Sequence, residues 1–441
     1  MKRYIVIGAS AAGISGAKTL REIDKDAEII LVSKDTHVYS RCILHHYISG
    51  HRTVEKLDFT TKDFFKNNNI KWLKGLEVLD VDSKEHTVSL SNGEVLNYDK
   101  LLICSGASSF IPPVENLRTA NNVIGLRNLD DAEKIKELAK TIKSAVVLGA
   151  GLVGIDAVSG LIDQGIDISL VEMGNKILPL QLDEYASDVY KQKFREHGVN
   201  LKLGVSAQKL LVDENNNPKA LVLNTGEEVP CELVVVATGV RSNVSFLKNG
   251  GIETDRFGLI INEKGETNTR DVYGAGDVTG RNPIWPTAVK EGIIAANNMT
   301  GNELFMEDFF AKKNTMNFLG IPTMSLGEVE PSGEGFEIEI EKDDKNYKKI
   351  IHKNGKIYGA IVQGELSYVG ILTQLIKEKI DVSKVKKPLF NIDYADFFNI
   401  KSIDNLVNLK GYLKSMYSNI KDNYPSVYGL LNYYLISYYG M

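Results

Sequence analysis

The residues of this chain with the clearest chemical potential lie in the stretch VYSRCILHHYISG, Val38 to Gly50. A thiolate at Cys42 could be oxidised to a sulfenic acid or could form a mixed disulfide. Arg41 beside it, together with nearby helix N-termini, would lower the pKa of this thiol. The alternative is a small apolar residue that only packs, and the stretch alone leaves both open. His45 and His46 are adjacent and cannot share a helix face, so they predict no metal site.

A second chemical signal is the glycine pattern GAGLVG, which follows an apolar strand and opens a helix. Gly149 allows the tight turn, Gly151 lets a pyrophosphate approach the backbone, and Gly154 lets the helix pack on the strand. The phosphates would lie at the helix N-terminus, where free N–H groups favour anions. Glu172 ends the next strand, where an acid can bind the ribose hydroxyls and repel a 2′-phosphate. This unit therefore predicts binding of NADH in preference to NADPH.

The N-terminal copy of the pattern, GASAAG, has Gly8 and Gly13 but carries Ser10 at the middle position. Serine is small enough for the same close approach, and its hydroxyl could add a phosphate contact. The acid expected at the end of the next strand is missing, because Ser33 stands there and Asp35 follows two residues later. Taken alone, this unit fits NAD or FAD, and ribose recognition by Ser33 or Asp35 competes with a solvated loop.

The segment VYGAGD supplies a third signal, because it ends on Asp277 directly after an apolar strand. The bend that ends at Gly276 would point this short acceptor side chain at the crevice beyond the carboxyl ends of the sheet. An aspartate placed there can accept a hydrogen bond from a ribityl hydroxyl, a group that FAD has and NAD lacks. We therefore predict FAD in the N-terminal unit and NADH in the second unit.

Two parallel sheets are needed to position these residues. Each glycine pattern lies in a strand–turn–helix–strand unit, and this crossover is right-handed between parallel strands. Because the unit occurs twice, well separated, we expect an α/β fold with two Rossmann-like dinucleotide-binding domains. The FAD domain is expected to be discontinuous, with the NAD domain inserted, and a C-terminal α+β domain follows. The predicted boundaries are 1–113 and 241–308 for the FAD-binding domain, 114–240 for the NAD(H)-binding domain, 309–400 for the C-terminal domain and 401–441 for a helical, aromatic-rich tail.

Composition excludes several classes of function. The chain has 441 residues, which is too many for a single core, and its net charge of −5 shows no basic excess that would favour nucleic acid. The N-terminus runs directly into a strand, which predicts no signal peptide, and no apolar run is long enough to predict a membrane span. Cys42, Cys104 and Cys231 are widely spaced and odd in number. They predict neither a disulfide framework nor a metal or iron–sulfur site, and they favour a reducing cytoplasm.

In their order along the chain, these motifs resemble the pyridine nucleotide–disulfide oxidoreductase family, the flavoproteins that bind two dinucleotides. The resemblance covers about Lys2 to Asp381 and includes the strands that end in CSGA and ATGVRSN and the segment TNTRDVYGAGDVT. The segment NPIWPTAVKEGIIAANNMTG looks like the one that closes over the flavin. The resemblance implies FAD and NADH as cofactors, with further cofactor-binding residues at Ser105, Gly106, Thr238, Gly239, Trp285 and Pro286.

The stretch around Cys42 resembles two branches of this family. The YSR sequence that ends at Arg41 is similar to the YSRP stretch of NADH:rubredoxin reductases and of nitrite reductase flavin domains, where proline replaces Cys42. The cysteine is similar to that of the SCGLPYYIGG stretch in coenzyme A disulfide reductases and NADH oxidases, although Ile43 and His45 replace its glycine and proline. The first resemblance implies that Arg41 holds the flavin pyrophosphate. Cys42 stays open between a redox thiol and a packing residue.

Asp156, just after the second glycine loop, stands where the family usually has glutamate, near the place where nicotinamide must enter. The acid is kept with a shorter reach, so a contact to the cofactor competes with a simple charge near a helix N-terminus. The tail contains YPSVYGLLNYYLISYYGM, whose aromatic density suits burial against a partner or packing on its own domain.

We therefore predict an FAD flavoprotein that oxidises NADH and passes electrons to a redox protein, such as rubredoxin, or to an iron–sulfur partner subunit. One alternative is a Cys42-dependent reductase of coenzyme A disulfide or persulfide, or an NADH oxidase or peroxidase. Another is an NADH-sensing flavoprotein that acts mainly by binding partners. The expected location is the cytoplasm, and the sequence leaves a homodimer open.

Overall fold

The computed structural model of the chain describes residues 1–306, 312–331 and 333–397. Its first part contains the elements β1 (Arg3–Ile7), α1 (Ala11–Ile23), β2 (Glu28–Ser33), α2 (Leu44–Ile48), α3 (Phe64–Asn67), β3 (Ile70–Lys74), β4 (Val78–Asp82), β5 (Thr87–Leu90), β6 (Val95–Asn97), β7 (Lys100–Ile103), β8 (Ala107–Ser109) and β9 (Val123–Gly125). Strand β1 lies parallel between β2 and β7, and β3 continues the sheet beyond β2. Because helices cover a parallel sheet, β1 is apolar and buried from Tyr4 to Ile7.

The second unit follows with α4 (Leu129–Leu138), β10 (Ser144–Leu148), α5 (Leu152–Leu161), β11 (Asp167–Glu172), α6 (Glu184–Glu196), β12 (Asn200–Leu203), β13 (Ala207–Val212), β14 (Pro218–Leu223), β15 (Glu228–Pro230), β16 (Leu233–Val236) and β17 (Val240–Ser242). Its parallel sheet has the order β12-β11-β10-β16-β9. The valine-rich β10 and β16 lie next to each other in the middle of this sheet and are buried. The antiparallel meander β13-β14-β15 is a separate sheet.

The chain then returns to the first unit through β18 (Val272–Gly274) and α7 (Trp285–Thr300). Strand β18 pairs in parallel with β7, which completes the order β18-β7-β1-β2-β3. The outgoing β8 and the returning β17 pair with each other in antiparallel fashion. The second Rossmann-like unit is therefore inserted into the first, as the sequence predicts.

The next part contains β19 (Lys313–Phe318), β20 (Ile321–Gly327), β21 (Glu337–Lys342), β22 (Tyr347–Lys353), β23 (Lys356–Gln363) and α8 (Val369–Lys377). The strands form a sheet of order β19-β20-β23-β22-β21, and the pairs β19–β20, β20–β23 and β21–β22 are antiparallel. Asp183, the N-cap of α6, ties this sheet to the second unit, because its Oδ2 atom accepts from Tyr347 at 2.6 Å and from Lys349 at 2.9 Å. The predicted α+β character of the C-terminal part is thus confirmed.

Residues 354–356 and 381–397 belong to a separate, small compact unit. Within it, the amide of Val382 donates to the carbonyl of Gly355 at 2.7 Å, and Lys387 forms ion pairs with Asp393 and Asp396. The predicted tail, 401–441, lies outside the described residues. Among the helices of the described residues, none combines the length and the hydropathy needed to cross a membrane.

Candidate functional site

A cleft of about 1380 Å³ lies at the first glycine loop and reaches the start of α5 at Leu152 and Val153. This volume exceeds that of a typical pocket for one drug-sized ligand, roughly 300–1000 Å³. Twelve of the predicted site residues line it: Gly8, Ser10, Ser33, Arg41, Cys42, Ser105, Gly106, Asp156, Gly276, Asp277, Trp285 and Pro286. The others lie outside its lining: Gly13, Gly149, Gly151, Gly154, Glu172, Thr238 and Gly239.

The first glycine loop connects β1 to α1 and leaves no room for side chains at its two glycines. Gly8 has φ 110°, and a Cβ atom there would lie 2.2 Å from the carbonyl oxygen of Cys104. A Cβ at Gly13 would lie 1.9 Å from the carbonyl oxygen of Gly8, so only glycine lets α1 pack this closely. Ser10 is the N-cap of α1, and its hydroxyl makes no capping hydrogen bond.

The second loop repeats this geometry between β10 and α5. A Cβ at Gly154 would lie 1.8 Å from the carbonyl oxygen of Gly149, which itself has φ 106°. Gly151 differs, because a Cβ there would meet no protein atom within 4 Å. The space in front of Gly151, at the N-terminus of α5, therefore fits a pyrophosphate.

Glu172 and Ser33, at the ends of β11 and β2, make different hydrogen bonds. Glu172 accepts hydrogen bonds from the amides of Ala150 and Gly174, each at 2.8 Å, so its carboxylate is fixed against the glycine loop. The hydroxyl of Ser33 donates to the carbonyl of Asp35 at 2.8 Å and accepts from the indole of Trp72 at 2.9 Å. Ser33 is thus occupied by protein groups, and its contact to a ribose stays a prediction.

The guanidinium of Arg41 is held by other protein groups. Its Nη2 atom lies 2.7 Å from Asp35 Oδ2, and its Nη1 atom donates to the hydroxyl of Tyr39 at 3.0 Å and to the carbonyl of Arg127 at 2.9 Å. Tyr39 also donates to the Asp35 carboxylate at 2.8 Å. The contact between Arg41 and a pyrophosphate accordingly stays a prediction.

Cys42 lies in a short 3₁₀ turn just before α2, with its side chain exposed to the cleft. The expectation that Arg41 and helix N-termini lower the pKa of its thiol is wrong. Surrounding protein raises this pKa, and the charges of Asp156 and Asp277 raise it further, while Arg127 lowers it in part. Arg41 does not help because its charge is directed at Asp35.

Arg127 is a site residue that sequence reasoning missed. It lies between β9 and α4, outside every motif, and its Nη2 atom forms an ion pair with Asp277 in the cleft. Its Nε atom donates to the carbonyl of Ala107 at 3.0 Å. Arg127 therefore fixes the carboxylate that we expect to contact the ribityl chain.

A buried carboxyl supports the loop that carries Asp277. Glu291, on α7, accepts a hydrogen bond from the amide of Gly276 at 2.7 Å, and burial raises its pKa to about 7. Gly276 has φ 81°, which favours glycine at this bend. The segment around Glu291 was assigned as a flavin cover, but no pattern singled out this side chain.

His45 and Asp156 meet across the boundary between the two units. The Nδ1 atom of His45, on α2, lies 3.1 Å from Oδ1 of Asp156, on α5. Burial raises the pKa of Asp156 to about 8 and lowers that of His45 to about 4. The sequence identified both residues but gave no sign that they touch.

Four further predicted residues lie where the chain crosses between the two units. Ser105 and Thr238 use their hydroxyls on backbone carbonyls, those of Asn243 at 2.8 Å and Phe110 at 2.7 Å. Their neighbours Gly106 and Gly239 have φ of 66° and 105°. These contacts join the segments that cross between the two units.

Trp285 and Pro286 open α7 and line the cleft. The indole of Trp285 packs edge-on against Phe59, with ring centroids 4.7 Å apart. Cys104 and Cys231 are buried, and burial raises the pKa of each thiol, which agrees with packing roles.

The C-terminal part contributes a wall that the sequence did not predict. Strand β19 lines the cleft along its length, and Thr373 and Lys377 of α8 join it. Exposed lysines from four different elements line the cleft: Lys134, Lys290, Lys313 and Lys377. Five acidic residues also line the cleft, Asp35, Glu77, Asp131, Asp156 and Asp277, so its lining carries both signs of charge.

Comparison with known proteins agrees with this geometry. Residues 2–292 match the model of the pyridine nucleotide-disulphide oxidoreductase family, and residues 313–380 match that of the rubredoxin NAD+ reductase C-terminal domain. The NADH-dependent phenylglyoxylate dehydrogenase subunit epsilon of Aromatoleum evansii is 29% identical, over 87% of this chain and 93% of that protein. The NADH-rubredoxin oxidoreductase of Clostridium acetobutylicum is 28% identical, over 92% of this chain and 98% of that protein.

Among solved structures, the chain is similar to a NAD-dependent persulfide reductase from A. fulgidus, with a TM-score of 0.78 and 25% sequence identity. The likeness covers 86% of this chain and 77% of that one.

Proposed function

Because the chain belongs to the pyridine nucleotide-disulphide oxidoreductase family, we propose that it oxidises NADH through bound FAD and passes the electrons to an acidic redox protein. The chain is an NADH-dependent flavoprotein oxidoreductase, and FAD and NADH are its cofactors. The protein acceptor is the part that is proposed. The observation that carries it is that Arg41, the cation next to Cys42 in sequence, pairs with Asp35 and Tyr39 and gives no support to the thiolate that a thiol enzyme needs.

The residues present fit both cofactors. For FAD, the first loop would hold the phosphates at Gly8, Ser10 and Gly13, and Asp277, fixed by Arg127, would bind the ribityl chain. When bound, FAD supplies hydride acceptance and the release of single electrons.

For NADH, the space in front of Gly151 would take the pyrophosphate and Glu172 the ribose hydroxyls. The protein itself binds the two dinucleotides and orients them in one cleft. We also propose the domain boundaries given by the sequence analysis, and a location in the cytoplasm.

A thiol enzyme would reduce its substrate through the sulfur of Cys42. Burial raises the pKa of this thiol, and the carboxylate of Asp277 raises it further, so the protonated, weakly nucleophilic form is favoured. The one-electron path needs no thiolate, and it is consistent with these charges.

The nature of the acceptor is supported by the lysines that line the cleft. Positive charge at the opening of a cleft attracts acidic proteins and raises their association rate. The match of residues 313–380 to the rubredoxin NAD+ reductase C-terminal domain supports a small redox protein as the acceptor. The similarity to a dehydrogenase subunit from Aromatoleum evansii supports a second possibility, in which the electron acceptor is a partner subunit of a larger enzyme.

A second candidate function is reduction of a persulfide or of a coenzyme A disulfide through Cys42. Two observations favour it: Cys42 is exposed to the cleft, and the fold is similar to that of the A. fulgidus persulfide reductase. Lysines near the cleft could also attract the phosphates of a coenzyme A substrate.

The two functions separate in a Cys42→Ser variant, assayed for NADH oxidation with a viologen and with coenzyme A disulfide. Our proposal predicts that viologen reduction keeps at least about half of the wild-type rate, because the sulfur carries no electrons. Cys231→Ser is the matched control, since it replaces a buried thiol that lies outside the lining of the cleft. Loss of coenzyme A disulfide reduction in Cys42→Ser alone, with viologen reduction kept and FAD still bound, would overturn the proposal in favour of the thiol enzyme.

A further inference from the structure

Two titratable residues from different parts of the chain are in contact, His45 on α2 and Asp156 on α5. Helices α2 and α5 pack closely here, because a Cβ at Gly160 would lie 3.1 Å from Ile48 and 3.2 Å from the carbonyl oxygen of His45. The packing brings the imidazole and the shortened carboxyl to 3.1 Å.

The imidazole has no other partner for the atom that faces the acid. Its Nδ1 atom is buried and makes no hydrogen bond in the part of the chain that the structure describes. The side chain of His45 is 15% exposed and that of Asp156 is 21% exposed, and both line the cleft. The Asp156 carboxyl is therefore the group with which Nδ1 can share a proton.

The surroundings keep this pair neutral. Burial opposes a charge on either residue, and the basic side chains of His46, Arg52 and His51 further lower the pKa of His45. Across the cleft, Arg127 and Asp277 pair with each other, and Cys42 is a neighbouring thiol whose pKa burial raises. Between the two pKa values, about 4 and about 8, the pair holds a single proton.

We propose that His45 and Asp156 act as one proton-sharing unit that couples proton release to the positive charge of oxidised nicotinamide, with His45 as the positioning residue. This inference rests on the proposed function. Helix α5 starts at the loop that would hold the NADH phosphates, so the nicotinamide must extend into the cleft that Asp156 lines. Asp156 is the one titratable residue of α5, which is described in full.

The charge balance gives the coupling its direction. NADH loses a hydride, that is one proton and two electrons, and its ring changes from neutral to positive. The carboxyl of Asp156 then releases its proton to water, and the carboxylate balances the ring. The nicotinamide ring of NADH is neutral, so it does not favour the ionised form of Asp156 in this way.

The test measures binding of two ligands to the FAD-loaded protein by calorimetry between pH 6 and pH 9.5. NAD+ carries the positive ring, and 1,4,5,6-tetrahydro-NAD is an unreactive analogue with a neutral one. We expect the affinity for NAD+ to rise at least about fivefold through pH 8, and that for the analogue to stay within about twofold. Equal pH dependence for both ligands, or none for either, would overturn the inference.

Variants separate a positioning role from a purely structural one. His45→Asn keeps an amide near the place of Nδ1 but donates to the carboxylate, so the midpoint of the NAD+ profile should fall by about one pH unit. Asp156→Asn should abolish the profile. His46→Asn, the matched control on the same helix, should leave the midpoint unchanged. A His45→Asn profile identical to that of the wild type would contradict the positioning role.

Failure of the proposed function would look different. A protein that binds neither ligand would refute the NADH site itself. The pair can then still be followed by the ¹⁵N chemical shifts of the His45 ring, which should change with a midpoint near pH 8 as Asp156 ionises. A single ordinary histidine transition near pH 6.5 would overturn the pair alone.

Discussion

In the second glycine loop, the acid at the strand end bonds back to the loop itself, whereas in the first loop the corresponding serine bonds to groups away from it. Glu172 accepts from Ala150 and Gly174, so this recognition group belongs to the same short unit as the phosphate site. Ser33 instead bonds to Asp35 and Trp72.

The difference shows two ways to build a dinucleotide site on one backbone. The NADH site is local, because its loop and its acid lie within one strand–helix–strand unit. The FAD site is assembled from distant segments, since Asp277 returns with β18 and Arg127 approaches it from the segment between the two units. A local site should respond to single changes in its loop, and an assembled site to changes far along the chain.

The largest effect is expected at Gly151, where the protein has no atom within 4 Å of an added Cβ. Gly151→Val should weaken NADH binding by at least about 100-fold, because the side chain fills the space of the pyrophosphate. FAD content, measured by absorbance, should stay unchanged. Ser10→Gly, at the same position of the first loop, should change FAD content by less than about twofold. Equal NADH affinity in Gly151→Val and wild type would contradict the local site.

The next effect concerns the assembled site. Asp277→Asn removes the charge that pairs with Arg127 and should lower FAD affinity by about 10- to 50-fold, because it leaves the guanidinium unpaired in the cleft. Fluorescence of released flavin during dilution measures this affinity. Lys100 forms an ion pair with Asp271 outside the cleft, so Asp271→Asn is the control. Loss of FAD in the control to the same extent would argue for general destabilisation.

A smaller effect is expected at the acid of the local site. Glu172→Gln keeps the side-chain size but removes the charge that repels a 2′-phosphate. The ratio of kcat/KM for NADH to that for NADPH should fall about tenfold, mainly through better use of NADPH. Glu184→Gln, an exposed acid at the start of α6, should leave the ratio unchanged. An unaltered ratio in Glu172→Gln would place ribose recognition elsewhere.

The smallest effect concerns protein stability and compares the helices that follow the two glycine loops. Asp156 of α5 stands at the position that Ser15 occupies in α1. The pKa of Asp156 is raised from 3.8 to about 8, so the folded protein binds a proton that the unfolded chain has lost. The free energy of unfolding should therefore fall as pH rises from 4 to 8. Asp156→Asn should stabilise the FAD-free protein by about 1–2 kcal/mol at pH 8 and by little near pH 4, as measured by urea unfolding. Equal stabilisation at both pH values would contradict the buried acid.

The parts of this site that the sequence predicts are those set by local spacing. The glycine loops and Glu172 follow from residues within one strand–helix–strand unit, and the order of the motifs gives the inserted fold. Arg127 was missed because its contact with Asp277 depends on how two segments far apart in sequence meet. The same is true of His45 and Asp156, which only the packing of α2 on α5 brings together.

The pKa of Cys42 was mispredicted for a related reason. Adjacency in sequence suggested that Arg41 would act on the thiol, but the guanidinium turns to Asp35 and Tyr39. Burial has the largest effect on the pKa of the sulfur, and the charged groups that act on it, Asp156, Asp277 and Arg127, come from other elements. Local sequence thus identifies a reactive side chain but not the charged groups that surround it in the fold.

The central claim is that electrons from NADH pass through the flavin without using Cys42. Anaerobic titration of the FAD-loaded protein with NADH, followed at the flavin absorbance band, tests it most directly. The account predicts that one NADH per FAD completes reduction in the wild type and in Cys42→Ser alike. A requirement for two NADH per FAD in the wild type, and for one in Cys42→Ser, would show a second two-electron centre at the sulfur and would contradict it.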